Sequence, residues 1–221
     1  MNSQAKYTKK FWPMYKKHKK NSEYSKGPHL ILIGFMGSGK TSIGRGLSYK
    51  LRRAFYDTDR MIEEKEGMSI SEIFASKGER AFRQMETQVL REIRDDRIGR
   101  IYSLGGGTPV LLENQPLIKK CGTVCYLRIS AEEVYERLKD DTTRPLLQCE
   151  DPLSRIRELI AKRGPAYERC ADIVVDTGSI SRDLVMETVL DKLRQLGWDI
   201  PVIEKTENEK NEDTGDQRPQ S

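Results

Sequence analysis

The chain has 221 residues, with 39 Lys+Arg against 34 Asp+Glu, four Cys and two His, enough for one domain with tails or two very small ones. The net charge of +5 is uneven: residues 1–28 carry eight Lys and one Glu, residues 199–221 carry seven acids and three bases, and the middle is nearly balanced, which disfavours a uniformly basic nucleic-acid binder. No apolar run approaches the ~18 residues of a membrane span, and no apolar stretch follows the basic N-terminus to suggest a secretory signal. Cys121, Cys125, Cys149 and Cys170 form no C-x-x-C pair, so free thiols in a reducing cytoplasm are expected rather than a zinc site.

In chain order, residues 1–28 read as a disordered basic arm. His29–Gly34 is a short apolar run that suits a buried strand, and Thr41–Arg53 has helical spacing through Ile43, Leu47 and Leu51. Ala54–Asp57 reads as a second strand, followed by a helix from about Asp59 to Glu66. Gly67 breaks it; Ser69 with Glu72 forms a capping-box pattern that opens two further helical pieces, split near Gly78 and ending about Arg94. Arg100–Leu104 is a third strand, and Thr123–Ile129 a fourth, with Ser130 capping a helix to about Lys139. Residues 140–152 read as a loop, Pro152–Arg169 as a helix, Asp172–Val175 as a fifth strand and Ile180–Leu196 as a closing amphipathic helix, before a polar, acidic tail from Asp199. This alternation predicts an α/β fold with a parallel sheet covered on both faces. Right-handed crossovers then gather the loops after the strands on one edge, where chemistry is expected.

Gly34-Phe-Met-Gly-Ser-Gly-Lys40-Thr41 fits G-x-x-x-x-G-K-[ST] between a strand and a helix, the context of a phosphate-binding loop. Glycines let backbone N–H groups turn onto phosphate oxygens at a positive helix end. Lys40 reaches the β/γ-phosphates, and the Thr41 hydroxyl is suited to Mg²⁺. Asp57-Thr58-Asp59 ends the second strand on the same edge: one carboxylate suits Mg²⁺ and the other a substrate hydroxyl, although a helix N-cap with a solvated turn explains the pair equally well in isolation. Gly105-Gly106-Gly107 fits either a close approach of backbone to ligand or a plain flexible turn. Arg83, Arg144 and Arg163 are suited to carboxylate or phosphate, but periodicity does not single them out from the other bases.

Together, GFMGSGKT (34–41), DTD (57–59), GMSISEIF (67–74), Phe82-Arg83, LGGGT (104–108), TRPLL (143–147) and the segment from Lys162-Arg163 to Tyr167 closely resemble the shikimate kinases, over Leu30–Leu196. The resemblance implies a three-layer α/β/α fold with a five-stranded parallel sheet in the order 2-3-1-4-5, a lid near 141–153 and a kinase domain at 29–198. It implies ATP- and Mg²⁺-dependent phosphorylation of the shikimate 3-hydroxyl, in the cytoplasm, by a monomer that needs no nucleic acid or membrane. By the same resemblance Gly37, Ser38, Gly39, Lys40, Thr41 and Ser42 hold the nucleotide phosphates, Arg137 packs against adenine, and Thr41 with Asp57 holds the metal. Asp59, Arg83, Gly105, Gly106, Gly107 and Arg163 bind shikimate, and Lys40, Asp59 and Arg144 carry the catalysis. Gly164 departs from the Glu or Ala common in the family, and the arm and tail lie outside the usual domain. Two further readings keep the phosphate loop: another acceptor, such as gluconate or a nucleoside monophosphate, and a nucleotide-binding regulator without turnover.

Overall fold

Five short strands all pair in parallel in the order β2-β3-β1-β4-β5. The strands come from a computed structural model that describes residues 27–139 and 149–200. They are β1 (His29–Ile33), β2 (Phe55–Asp57), β3 (Ile101–Ser103), β4 (Gly122–Arg128) and β5 (Ile173–Asp176). The central strand β1 must be apolar on both faces, and its five residues are all buried. Ile31 and Ile33 enter one core layer, and Leu30 and Leu32 enter the other. In register, Leu30 lies opposite Ile101 on one side and Thr123 on the other.

The helices are α1 (Lys40–Lys50), α2 (Thr58–Glu66), α3 (Ile70–Asp95), α4 (Gln115–Cys121), α5 (Ala131–Leu138), α6 (Pro152–Cys170) and α7 (Arg182–Gln195). α1 and α7 cover one face of the sheet through Ile43, Leu47, Val185 and Val189. The other helices cover the opposite face, with Ile62, Ile73, Leu90, Ile118, Val134 and Ile156 in a second core. The three-layer α/β/α fold and the strand order expected from the family resemblance are both present. Capping boxes form at Ser69 with Glu72 and at Ser130 with Glu133. The expected break near Gly78 is a kink inside α3, where Gly78 sits at φ 78° and ψ 168°, outside helical space.

Sequence periodicity did not show the stretch from Thr108 to Cys121, which forms two single 3₁₀ turns and the short α4. These pieces are too short to display a repeat, and their prolines sit at helix starts. Most of the expected basic arm, lid and acidic tail, including Arg144, lies outside the described residues. The described ends meet at the N-terminal edge of the sheet. There the Arg53 guanidinium donates to the Pro28 carbonyl and lies 4.3 Å over the Trp198 ring. Among the described residues, no helix is long and apolar enough to cross a membrane.

At this edge His29 closes a buried polar cluster. Its Nε2 lies 3.0 Å from the carbonyls of Ile93 and Asp96, and its Nδ1 accepts from the Arg100 N–H at 3.1 Å. Only the neutral ring with its proton on Nε2 serves all three partners. Arg100 also pairs with Asp96 at 2.6 Å and donates to Tyr56 Oη at 2.7 Å, while Tyr102 Oη donates to Asp96. Burial lowers the His29 pKa, against the opposing pull of Asp96. Between that lowered value and the ordinary 6.5, the unfolded chain binds the proton and the folded chain does not, so folding stability falls as pH falls through this window. Thermal midpoints between pH 7.5 and 5.5 should therefore drop more steeply for the wild type than for His29→Leu. Equal slopes would remove His29 as the titrating group.

Candidate active site

The candidate residues other than Arg144 line one cleft of about 890 Å³ at the C-terminal edge of the sheet. The chain leaves β1 through Gly34, where a Cβ would stand 2.5 Å from the Leu127 carbonyl oxygen. Gly37 and Gly39 take φ of 78° and 86°, the left-handed region that glycine tolerates. Gly39 is the N-cap of α1, and no side chain caps that helix. The first-turn N–H groups and the positive helix end thus form a seat for an anion. Lys40 Nζ donates to the carbonyls of Gly34 at 2.8 Å and Phe35 at 3.0 Å, so its ammonium rests on the loop's own oxygens. Ser38 Oγ is buried with no hydrogen-bond partner among the described residues, and Ser42 lines the cleft beside it.

β2 and α2 bring in the carboxylates. The Thr41 hydroxyl donates to Asp57 Oδ2 at 3.3 Å, and Asp57 Oδ1 accepts from the Asp59 N–H at 3.1 Å, capping α2. Asp57 thus serves as the N-cap the sequence allowed and also stands beside the phosphate loop. A hydroxyl and a carboxylate side by side are the hard oxygen donors that Mg²⁺ takes alongside phosphate and water. Asp59 faces inward, and its Oδ1 is buried without a partner among the described residues. Burial first, then the charges of Asp57 and Glu86, push its pKa up to about 6, against the pull of Lys40.

The triple glycine is a close approach, not a loose turn. A Cβ on Gly105 would stand 2.6 Å from Asp59 Oδ1, and one on Gly107 would stand 2.5 Å from Arg83 Nη1. The Gly105 N–H donates to Thr58 Oγ1 at 3.1 Å, and the Gly106 carbonyl accepts from Tyr167 Oη at 2.7 Å. Arg83, from α3, donates to Glu86 at 2.8 Å and to Glu79 at 2.9 Å. Arg163, from α6, lies 5.6 Å over the Phe35 ring, and its Nη1 would stand 3.9 Å from a Cβ on Gly106. The two guanidinium groups therefore reach the same loop from different helices. Phe74 and Phe82, with ring centroids 4.9 Å apart, form an apolar wall beside them.

Arg137 is held by backbone. It donates to the Gly37 carbonyl at 2.9 Å and to the carbonyls of Thr177 and Gly178, tying the phosphate loop to the loop between β5 and α7. Sequence reasoning missed Glu86, whose carboxylate is 2% exposed. A signal was available: Glu86 falls on the buried face of α3, in phase with Phe82, Val89 and Leu90, where a lone acid requires a partner.

Comparison with known proteins gives a consistent result. The family model described as shikimate kinase matches residues 36–194. A shikimate kinase of Nitrosospira multiformis is 43% identical over 153 residues, 69% of this chain and 78% of that protein. One of Thermodesulfovibrio yellowstonii is 42% identical over 168 residues, 76% of this chain and 96% of that protein. A solved shikimate kinase from Acinetobacter baumannii in complex with shikimate is 36% identical, with a TM-score of 0.71 over 78% of this chain and 96% of that one.

The raised Asp59 pKa also has a cost in stability. Between the ordinary 3.8 and about 6 the folded state binds the proton and the unfolded state does not, so the stabilisation is full below 3.8 and is lost as pH rises through 6. In metal-free protein at pH 8, Asp59→Asn should therefore raise folding stability by up to ~3 kcal/mol. Denaturant unfolding at pH 4 and pH 8 checks this. A destabilised variant at pH 8 would contradict the assignment of a buried, repelled carboxylate.

Proposed function

The chain belongs to the shikimate kinase family, and from that premise we propose that it transfers the γ-phosphoryl group of ATP to the 3-hydroxyl of shikimate, giving 3-phosphoshikimate and ADP. The observation that carries the reading is the division of the cleft. An anion seat for phosphates, formed by the glycine loop, Lys40 and α1, opens onto Arg83, Arg163 and Asp59, which suit a ligand bearing a carboxylate and hydroxyls. A family member that uses this cleft as a cytoplasmic monomer completes the proposal.

Phosphoryl transfer needs positioning and charge stabilisation more than covalent chemistry. Gly37, Ser38, Gly39, Thr41 and Ser42 hold the phosphates through the loop and helix end, and Lys40 exchanges the carbonyls of Gly34 and Phe35 for phosphate oxygens. Arg137 flanks the adenine from its anchored position. Thr41 and Asp57 would hold Mg²⁺, which when bound supplies neutralisation of the phosphate charge. Arg83 and Arg163 fix the shikimate carboxylate, with Gly105, Gly106 and Gly107 against the ring. The 3-hydroxyl oxygen then forms its bond to the γ-phosphorus as the bond to the bridging oxygen of ADP breaks. Asp59 takes the hydroxyl proton, a role suited to a carboxylate with a pKa of about 6. Arg144, outside the described residues, is assigned by the family resemblance to the charge on the transferring group.

Purified protein with Mg·ATP should produce ADP rapidly with shikimate and only at background with gluconate or AMP. Arg144→Ala should lower kcat by at least ~100-fold, and Arg83→Ala should raise the shikimate KM by more than ~10-fold. A rate with gluconate or AMP instead would keep the kinase fold and discard the acceptor. ATP binding without turnover of any acceptor would favour a regulator.

A further inference from the structure

The triple glycine runs directly into Thr108, which the mechanism leaves without a role although its side chain is 2% exposed. The Thr108 hydroxyl donates to Glu86 Oε1, while the other oxygen of the same carboxylate accepts from Arg83 Nη1 at 2.8 Å. Glu86 is therefore gripped from both sides: by a hydroxyl from the glycine loop and by the guanidinium it orients. Thr108 itself is fixed in turn. Its N–H donates to the Gly105 carbonyl at 3.0 Å, and its carbonyl accepts from Asn114 Nδ2 at 3.1 Å. Asn114 is fully buried, and its Oδ1 accepts from Thr87 at 2.8 Å, one turn beyond Arg83 on α3. The network runs from the loop to α3 and back.

We infer that Thr108 is a positioning residue for acceptor binding: its hydroxyl locks the Glu86 carboxylate in the orientation that presents the Arg83 guanidinium to the ligand carboxylate. This rests on the proposed role of Arg83 toward shikimate. Removing the hydroxyl leaves one oxygen of a buried carboxylate without its donor, close to Asp59, which a Cβ on Gly105 would touch at 2.6 Å while standing 3.0 Å from Glu86 Oε1. Glu86 then gives up its fixed orientation, and Arg83 is left tied to the exposed Glu79. The loss falls on acceptor binding in the ground state and transition state alike, so it belongs in KM rather than kcat. The hydrogen bonds described for this network do not involve the phosphate loop, so the nucleotide side should not respond.

The test compares wild type, Thr108→Val and Thr108→Ser in steady-state kinetics with both substrates varied, together with thermal unfolding. Valine keeps the shape and removes the hydroxyl; serine keeps the hydroxyl. We expect Thr108→Val to raise the shikimate KM about 10-fold, with kcat and the ATP KM within about twofold of wild type. Thr108→Ser should return the shikimate KM to near the wild-type value. An unchanged shikimate KM in Thr108→Val would overturn the inference. So would a parallel rise in the KM for both substrates with a large fall in thermal midpoint, or a serine variant no better than valine, since either outcome marks Thr108 as a packing residue. A wild-type protein active only with another acceptor would remove the parent reading, a result visible before any variant is compared.

Discussion

The backbone from Gly105 to Gly107 passes so close to Asp59 and Arg83 that a single methyl group at either end would collide with a carboxylate oxygen or a guanidinium nitrogen. The arrangement of the cleft depends on that contact. It lets a carboxylate from α2, an arginine from α3 and an arginine from α6 surround one stretch of chain, beside the phosphate loop that follows β1. Three consecutive glycines cost conformational entropy on folding, and the close approach is what offsets it. The sheet order places β3, which delivers these glycines, between β2 with its aspartates and β1 with its phosphate loop.

Charge is arranged on the same plan. Asp57, Asp59 and Glu86 line one cleft with Lys40, Arg83 and Arg163. Glu86 has Arg83 and Thr108 as donors, and Asp57 has the Thr41 hydroxyl and the Asp59 N–H. Asp59 has a buried oxygen that lacks a partner among the described residues, and its pKa is displaced upward. A buried carboxylate short of donors and pushed toward its protonated form has the character of a proton acceptor. The destabilisation it causes is the familiar cost of a preorganised site.

Local signals in the chain carried much of this. The phosphate loop, the capping boxes at Ser69 and Ser130, the kink at Gly78 and the alternation of strands and helices each depend on residues a few positions apart, so a linear reading finds them. The features it missed depend on contacts distant in sequence. Arg83 has its carboxylate partners Glu79 and Glu86 within one turn of its own helix, but what sets it apart from the other bases is its approach to the backbone of Gly107, on a different element. The anchoring of Arg137 on carbonyls 100 and 40 residues away leaves no mark in the pattern. The 3₁₀ turns after the triple glycine are set by buried partners of Thr108 and Asn114 rather than by periodicity. The family resemblance selected Arg83 and Arg163 where composition could not, because it carries the result of those long-range contacts.

The most direct test of the central claim is the affinity of Gly107→Ala for each substrate, measured by titration calorimetry. Gly107 has φ −89° and ψ −22°, a conformation alanine adopts without strain, and the atoms nearest the added methyl are those of the Arg83 guanidinium. If the loop and Arg83 together form the acceptor half of the cleft, shikimate affinity falls about 10-fold or more while ATP affinity stays at its wild-type value. Unchanged shikimate affinity, or equal losses for both ligands, would contradict a cleft divided between a phosphate seat and a carboxylate seat.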